Sequence, residues 1–290
     1  MYQLKNDLLT LEFTTMGAEL ISVVKNGIDY LWDGNSEFWT GRSPVLFPIV
    51  GALAEGKYFY KEKCYELPQH GFARRLNFEM FMQNDHEIWF RLKSNAKTKA
   101  NYPFDFELRI GYLLKKDKVV VKWEVENNGN EVMPFSIGAH PAFMAGPELD
   151  DYSLQFKKNT GVETLIFNPN GNFIDIEKGK EEIIENLPFL PLSKDLFEEY
   201  PTIILENETE IMLRSYTHDC EVEVSFEGFP YVGIWSPINS QNEVAPFVCI
   251  EPWFGIADTS VVPQDIMNKT GIIHLESKEI FSTKYEMTFR

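Results

Sequence analysis

The chain has 290 residues, 44% hydrophobic and 14% aromatic, which supports a sizeable core and excludes a disordered protein. A net charge of -17 and a pI of about 4.8 argue against nucleic acid and anionic membranes as main partners, because both favour basic surfaces. Cys64, Cys220 and Cys249 are far apart and form no CxxC pair, so neither a disulfide framework nor a zinc pattern is expected. The N-terminus has no basic region followed by an apolar one, and no apolar run reaches the ~18–20 residues of a membrane span, so a cytoplasmic protein is expected.

The first elements read as strands: Leu8 to Phe13, then Ala18 to Lys25, then Ile28 to Trp32 across an Asn26-Gly27 hairpin turn. The apolar stretch from Phe38 to Gly51 carries Pro44 and Pro48. Proline is poorly tolerated in a central strand, so an extended buried loop is expected, with Arg42 at its mouth. That lone Arg suits either a structural carboxylate or a polar ligand. Pro68 to Arg75 reads as a loop whose His70, Arg74 and Arg75 form either a ligand-binding group or a solvated charged loop. From Asn77 to Glu126, short alternating runs separated by turn residues predict half-buried antiparallel strands.

Met133 to Phe143 is another unusual stretch. On strand geometry Ser136, Gly138 and His140 share a face, which predicts open space in front of the imidazole. Gly146 to Glu185 is loop-rich and acidic, with a turn at 168–171. Leu192 to Glu199 is the best short-helix candidate, with Ser193 as N-cap. Strands resume at Thr202, Ile211, Val222 and Tyr231, and two more close the chain from Ile272 to Phe289. Many short strands, almost no helical period, and no repeat or linker indicate a single all-β domain over 1–290.

Phe247 to Gly255 holds a carboxylate inside an apolar strand. Phe247, Cys249, Glu251 and Trp253 share one face, and Val248 and Ile250 share the other. An ionised Glu there needs a partner, a hydrogen bond or a wet cavity. Glu251 and His140 are a candidate acid/base pair, because imidazole and a carboxyl against apolar walls both titrate near neutrality. Each also has a plain structural reading, as a paired strand Glu and a satisfied core His. Trp235, Trp253 and Phe143 are candidates to stack on a sugar ring, or else core. No HExxH, P-loop, GxGxxG after a strand, or GxSxG occurs, so no metal-hydrolase, nucleotide-binding or serine-hydrolase signature is present.

Four motifs, in order, resemble the aldose 1-epimerase (galactose mutarotase-like) family, and within it the LacX-like branch. They are Gly41-Arg42-Ser43-Pro44-Val45-Leu46-Phe47-Pro48, Gln69-His70-Gly71-Phe72-Ala73-Arg74, Gly138-Ala139-His140-Pro141-Ala142-Phe143 and Ile250-Glu251-Pro252-Trp253. The resemblance implies a large antiparallel β-sandwich and interconversion of the α and β anomers of an aldose. It implies Glu251 as base, His140 as acid, and His70 and Arg42 as substrate-binding groups, with no metal or cofactor. Relatives that epimerise hexose 6-phosphates share the His-Gly-Phe-Ala-Arg motif and hold phosphate with arginines, which brings in Arg74 and Arg75. Galactose-acting members also place an Asp on the sugar. Asp175 and Asp195 lie in the right range but in no matching motif. The implied partner is thus a free or phosphorylated aldose, and the alternative is a non-catalytic carbohydrate-binding protein on the same fold.

Overall fold

A computed structural model of the chain describes residues 1–146, 148–157, 161–168, 173–184 and 189–290. The turn expected at 168–171 falls on 169–171, outside the described residues. Strands dominate, and all named pairings between them are antiparallel, as the alternating runs required. A nine-stranded sheet runs from Phe189–Pro191 at one edge to Glu79–Gln83 at the other. Its middle is built from the long strands Phe106–Lys115, Lys118–Asn127 and Ile280–Phe289. A four-stranded sheet from the N-terminus, ending at Ile28–Asp29, lies in sequence before the elements that carry the site.

The site is carried by a third sheet. Its strands are β1 (Val45–Leu46), β2 (Ile137–Ala139), β3 (Ala142–Met144), β4 (Ile203–Glu206), β5 (Tyr231–Trp235) and β6 (Phe247–Phe254). The order is β4-β5-β6-β2-β1, and β3 also pairs with β6. Strand β6 is therefore central and its first seven residues are buried. Its two faces divide as the alternation predicted. Val248 and Ile250 join the main core with residues of the other sheets, such as Leu11, Leu108 and Val125. Phe247 and Cys249 pack on the opposite side with Trp32, Trp39 and Trp235.

The Pro-broken stretch is largely buried from Ser43 to Gly51 and contributes β1, with a cis Phe47–Pro48 bond. The expected helix is present as Lys194–Glu199, capped by Ser193 Oγ accepting from the Leu196 amide at 3.1 Å. A second short helix, Ala96–Asn101, escaped the sequence reading; its signal was the capping box of Asn95 and Thr98. With six residues it is too short to show a helical period.

Candidate active site

Glu251 sits on β6 with 1% of its surface exposed. Strand β5 places Gly233 directly opposite it, and β2 places Gly138 opposite Trp253. A Cβ on Gly233 would lie 2.5 Å from Trp253 Cη2, and one on Gly138 would lie 2.5 Å from Trp253 Cδ1. The two glycines thus let one indole lie across both neighbours of β6, with Nε1 donating to the Ala139 carbonyl at 3.2 Å. This corrects the expectation that small residues leave space before His140. Gly138 is small because Trp253 fills its face, and Ser136 Oγ is taken by the Val50 amide at 3.0 Å.

His140 lies just after β2, and its Nε2 is 3.2 Å from Glu251 Oε2. The indole of Trp39 stacks on the imidazole, with centroids 4.6 Å apart and planes 27° apart. Trp235 meets it edge-on at 5.4 Å, and His70 at 5.7 Å. Neither Glu251 Oε2 nor His140 Nδ1 has an aligned hydrogen-bond partner among the described residues. Two buried polar atoms are left open in this way, which is unusual for a finished structural pair.

His70 has a left-handed backbone, φ 64°, followed by Gly71 at φ 66°. A Cβ on Gly71 would lie 2.3 Å from the Phe47 carbonyl oxygen, so this step of the loop requires glycine. The His70 amide donates to Gly51 O at 2.9 Å, and the Gly51 amide donates back to His70 Nδ1 at 3.1 Å. That second bond makes Nδ1 an acceptor and puts the ring proton on Nε2; the Gln69 side-chain nitrogen 3.3 Å away is itself a donor and does not accept that proton.

These groups surround a cavity of about 380 Å³. His70, Arg74, His140, Glu251 and the indoles of Trp39, Trp235 and Trp253 line it. Of the residues expected from sequence, Glu251, His140, His70 and Arg74 are brought together. Arg42 is not. Its Nε donates to the Asp33 carbonyl at 2.7 Å, and its side chain does not line the cavity. Its backbone amide and that of Ser43 are both held at 2.8 Å by Glu19 Oε1. Asp175 and Asp195 are also elsewhere, the first 3.6 Å from Lys178 Nζ and the second in the first turn of the Lys194–Glu199 helix. Among the stacking candidates, Phe143 is fully buried core. Trp39 was missed. Its position at the head of the Pro-broken apolar stretch was the only available signal.

Electrostatics follow from burial. Desolvation pushes the Glu251 carboxyl well above its ordinary range, against the opposing charge of Arg74. Desolvation, then the neighbouring His70 and Arg74, push His140 well below the ordinary imidazole value. His70 is lowered to about 3, by burial first and Arg74 second. Arg74 itself is lowered by burial and Arg75, and supported by Glu251 and Glu19. Its Nη2 donates to the Gln69 carbonyl at 3.0 Å, while its buried Nε has no partner among the described residues.

The cavity floor rests on a second buried group that the sequence did not disclose. Asp258 is 0% exposed and Lys269 3%, with Nζ 3.5 Å from Oδ1. Asp258 Oδ2 accepts from the Ala54 amide at 2.8 Å, its own amide donates to Ala52 O at 2.9 Å, and its carbonyl accepts from the Ile174 amide at 2.9 Å. Lys269 Nζ also donates to the Ile256 carbonyl. The pair ties the loop after β6 to the segment bearing Gly51 and Ala52, both of which line the cavity.

Antiparallel sheets carrying a polar cavity on their central strand define a galactose mutarotase-like fold, and the chain belongs to the aldose 1-epimerase family, whose model matches residues 1–274. It is 31% identical to the plasmid-borne protein LacX of Lactococcus lactis subsp. lactis, covering 99% of this chain and 98% of that one. A galactose mutarotase related enzyme from Lactobacillus acidophilus superposes with a TM-score of 0.91 at 32% identity, covering 100% of this chain and 97% of that one. A Salmonella typhimurium protein, provisionally a glucose-6-phosphate 1-epimerase, is 28% identical over 46% of this chain and 45% of its own length. Among the described residues no helix is long and apolar enough to cross a membrane.

Proposed function

We propose that the protein is an aldose 1-epimerase that interconverts the α and β anomers of a hexose by acid/base ring opening and closure. The observation that carries this reading is the contact of His140 Nε2 with Glu251 Oε2, 3.2 Å apart in a sugar-sized cavity. The two oxygens to be served, the C1 hydroxyl and the ring oxygen, share one carbon, so acid and base must be neighbours. In the form with the pair's single proton on His140, Glu251 takes the proton from the C1 hydroxyl while His140 gives one to the ring oxygen, and the bond from C1 to the ring oxygen breaks. The C1–C2 bond rotates and the ring recloses on the other face with the transfers reversed. The pair holds one proton before and after. Trp39 and Trp235 offer apolar faces to the ring, and His70 Nε2–H offers a donor to a hydroxyl.

A hexose 6-phosphate is the second reading. Arg74 lies in the cavity wall with an open Nε, and the Salmonella relative bears a name of that kind. The test is anomer exchange by NMR or polarimetry over glucose, galactose, xylose and glucose 6-phosphate. Acceleration of at least one sugar is expected. If all four equilibrate no faster than in buffer, a non-catalytic carbohydrate-binding role replaces the enzyme. The three free cysteines suit a reducing compartment and support action in the cytoplasm.

The pH profile has a definite sign. The active pair carries one proton. A second proton enters the imidazole, whose affinity burial has lowered, so activity falls on acidification only below the ordinary imidazole range. The last proton leaves above the ordinary carboxylate range. Accordingly kcat/KM should show no acid limb centred at a pH of about 6.5, the value of free imidazole. An acid limb centred there would remove His140 from the assigned role.

A further inference from the structure

Cys249 precedes Glu251 by two residues on β6 and shares its face. Its side chain is fully buried behind the cavity, packed with Ala142, Phe247 and Trp235. Its sulfur, one nitrogen of His140 and one carboxylate oxygen of Glu251 all lie within 4.8 Å of one another. All three residues are buried, and Glu251 Oε2, which lies 3.2 Å from His140 Nε2, has no hydrogen-bond partner among the described residues.

We propose that Cys249, His140 and Glu251 form a binding site for a thiophilic divalent cation, zinc or cadmium, and that such an ion inhibits the protein. The donor set matches these ions. A thiolate, an imidazole nitrogen and a carboxylate oxygen with a free fourth position are ordinary zinc ligation, whereas magnesium and calcium call for oxygen shells. Metal–ligand bonds of about 2.0–2.3 Å set ligand separations of about 3.3–3.8 Å in a tetrahedron. The His140–Glu251 contact of 3.2 Å already meets this, and the widest pair must close by about 1 Å. Charge balances too. One thiolate and one carboxylate neutralise a divalent ion, which makes its burial affordable where a lone charge would not be. His140 and Glu251 both line the cavity, which is the route by which the ion arrives.

Binding replaces two protons: the Cys249 S–H bond breaks, the one proton held by the His140–Glu251 pair leaves, bonds from the metal to sulfur, nitrogen and oxygen form, and both protons pass to solvent. Burial and the Glu251 carboxylate hold the thiol in its protonated form, so binding tightens as pH rises. The ion occupies the lone pairs that the proposed mechanism uses for proton transfer. The inhibitory effect therefore rests on the proposed roles of Glu251 and His140, whereas the binding site does not.

The experiment uses the Cys64→Ser, Cys220→Ser protein, in which Cys249 is the remaining thiol, titrated with cadmium chloride after chelator treatment. One equivalent should raise the ultraviolet charge-transfer absorption of a cadmium thiolate, and anomer exchange should fall and return with EDTA. Adding Cys249→Ser should abolish the absorption, and Glu251→Gln should keep it while weakening cadmium binding by about tenfold or more. No absorption at one equivalent, or absorption that survives Cys249→Ser, overturns the site. Full absorption with unchanged anomer exchange upholds the site and overturns the catalytic roles of the pair.

Discussion

Glu251→Gln is expected to slow anomer exchange by about 10²–10⁴-fold, and His140→Asn by a similar factor, the usual worth of a positioned acid or base. Gln keeps the shape of Glu, and Asn, though smaller than the imidazole on which Trp39 stacks, keeps a hydrogen-bonding group at the same place. What each variant loses is the ability to exchange a proton. The effects should not add, since either half of the pair is idle without the other. Sugar binding reads the difference between this and a structural failure: KM should move far less than kcat. Full activity in both variants would move the chemistry elsewhere in the cavity, and a loss matched by collapse of the folded state would make the pair structural. Neither substitution removes Trp253 from its place across Gly138 and Gly233, which is why the fold should survive them.

Lys269→Met should destabilise the protein by about 3–5 kcal/mol, because it strands the Asp258 carboxylate in a site with no exposure. For 290 residues at about 2.1 cal/mol/K each, that corresponds to a fall in Tm of roughly 5–8 °C. The Asp258 side chain still has the Ala54 amide at 2.8 Å and the Gln264 amide at 3.2 Å, neither of which neutralises a charge. Adding Asp258→Asn removes the stranded charge and should recover about 1 kcal/mol or more. Denaturant unfolding of the two variants decides it. A single variant within about 1 kcal/mol of the parent would show that the ion pair contributes little. Because this pair anchors the loop that backs Gly51 and Ala52, the single variant should also loosen the cavity and raise KM.

Those two residues illustrate a limit of reading the chain by pattern. Lys269 sits in a polar stretch, Asn268-Lys269-Thr270, with every local feature of a solvated loop. Its burial depends on Ile256 and Asp258, which are brought over it by the chain turning back after β6. Arg42 shows the reverse. It lies beside four buried apolar residues and in a motif shared with the family, yet its guanidinium turns out to the Asp33 carbonyl. Backbone position was readable there, and side-chain direction was not.

The sequence by itself determined the all-β class, the strand breaks at Asn26-Gly27 and after Phe254, and the alternation that puts Cys249, Glu251 and Trp253 on one face of β6. Period-two patterning and turn chemistry act over a few residues, so a linear chain displays them. The motifs also marked Glu251, His140, His70, Arg74 and Arg42 as one set, of which Arg42 lies outside the cavity. Only the tertiary structure decided that Glu251 and His140 meet at 3.2 Å, that Trp39 covers the imidazole, and that Gly138 serves an indole instead of a ligand. It also placed the Cys249 thiol, in which the sequence showed no metal pattern, beside the pair. Such contacts depend on which strands become neighbours and how each side chain rotates, and both are settled by packing the whole molecule at once.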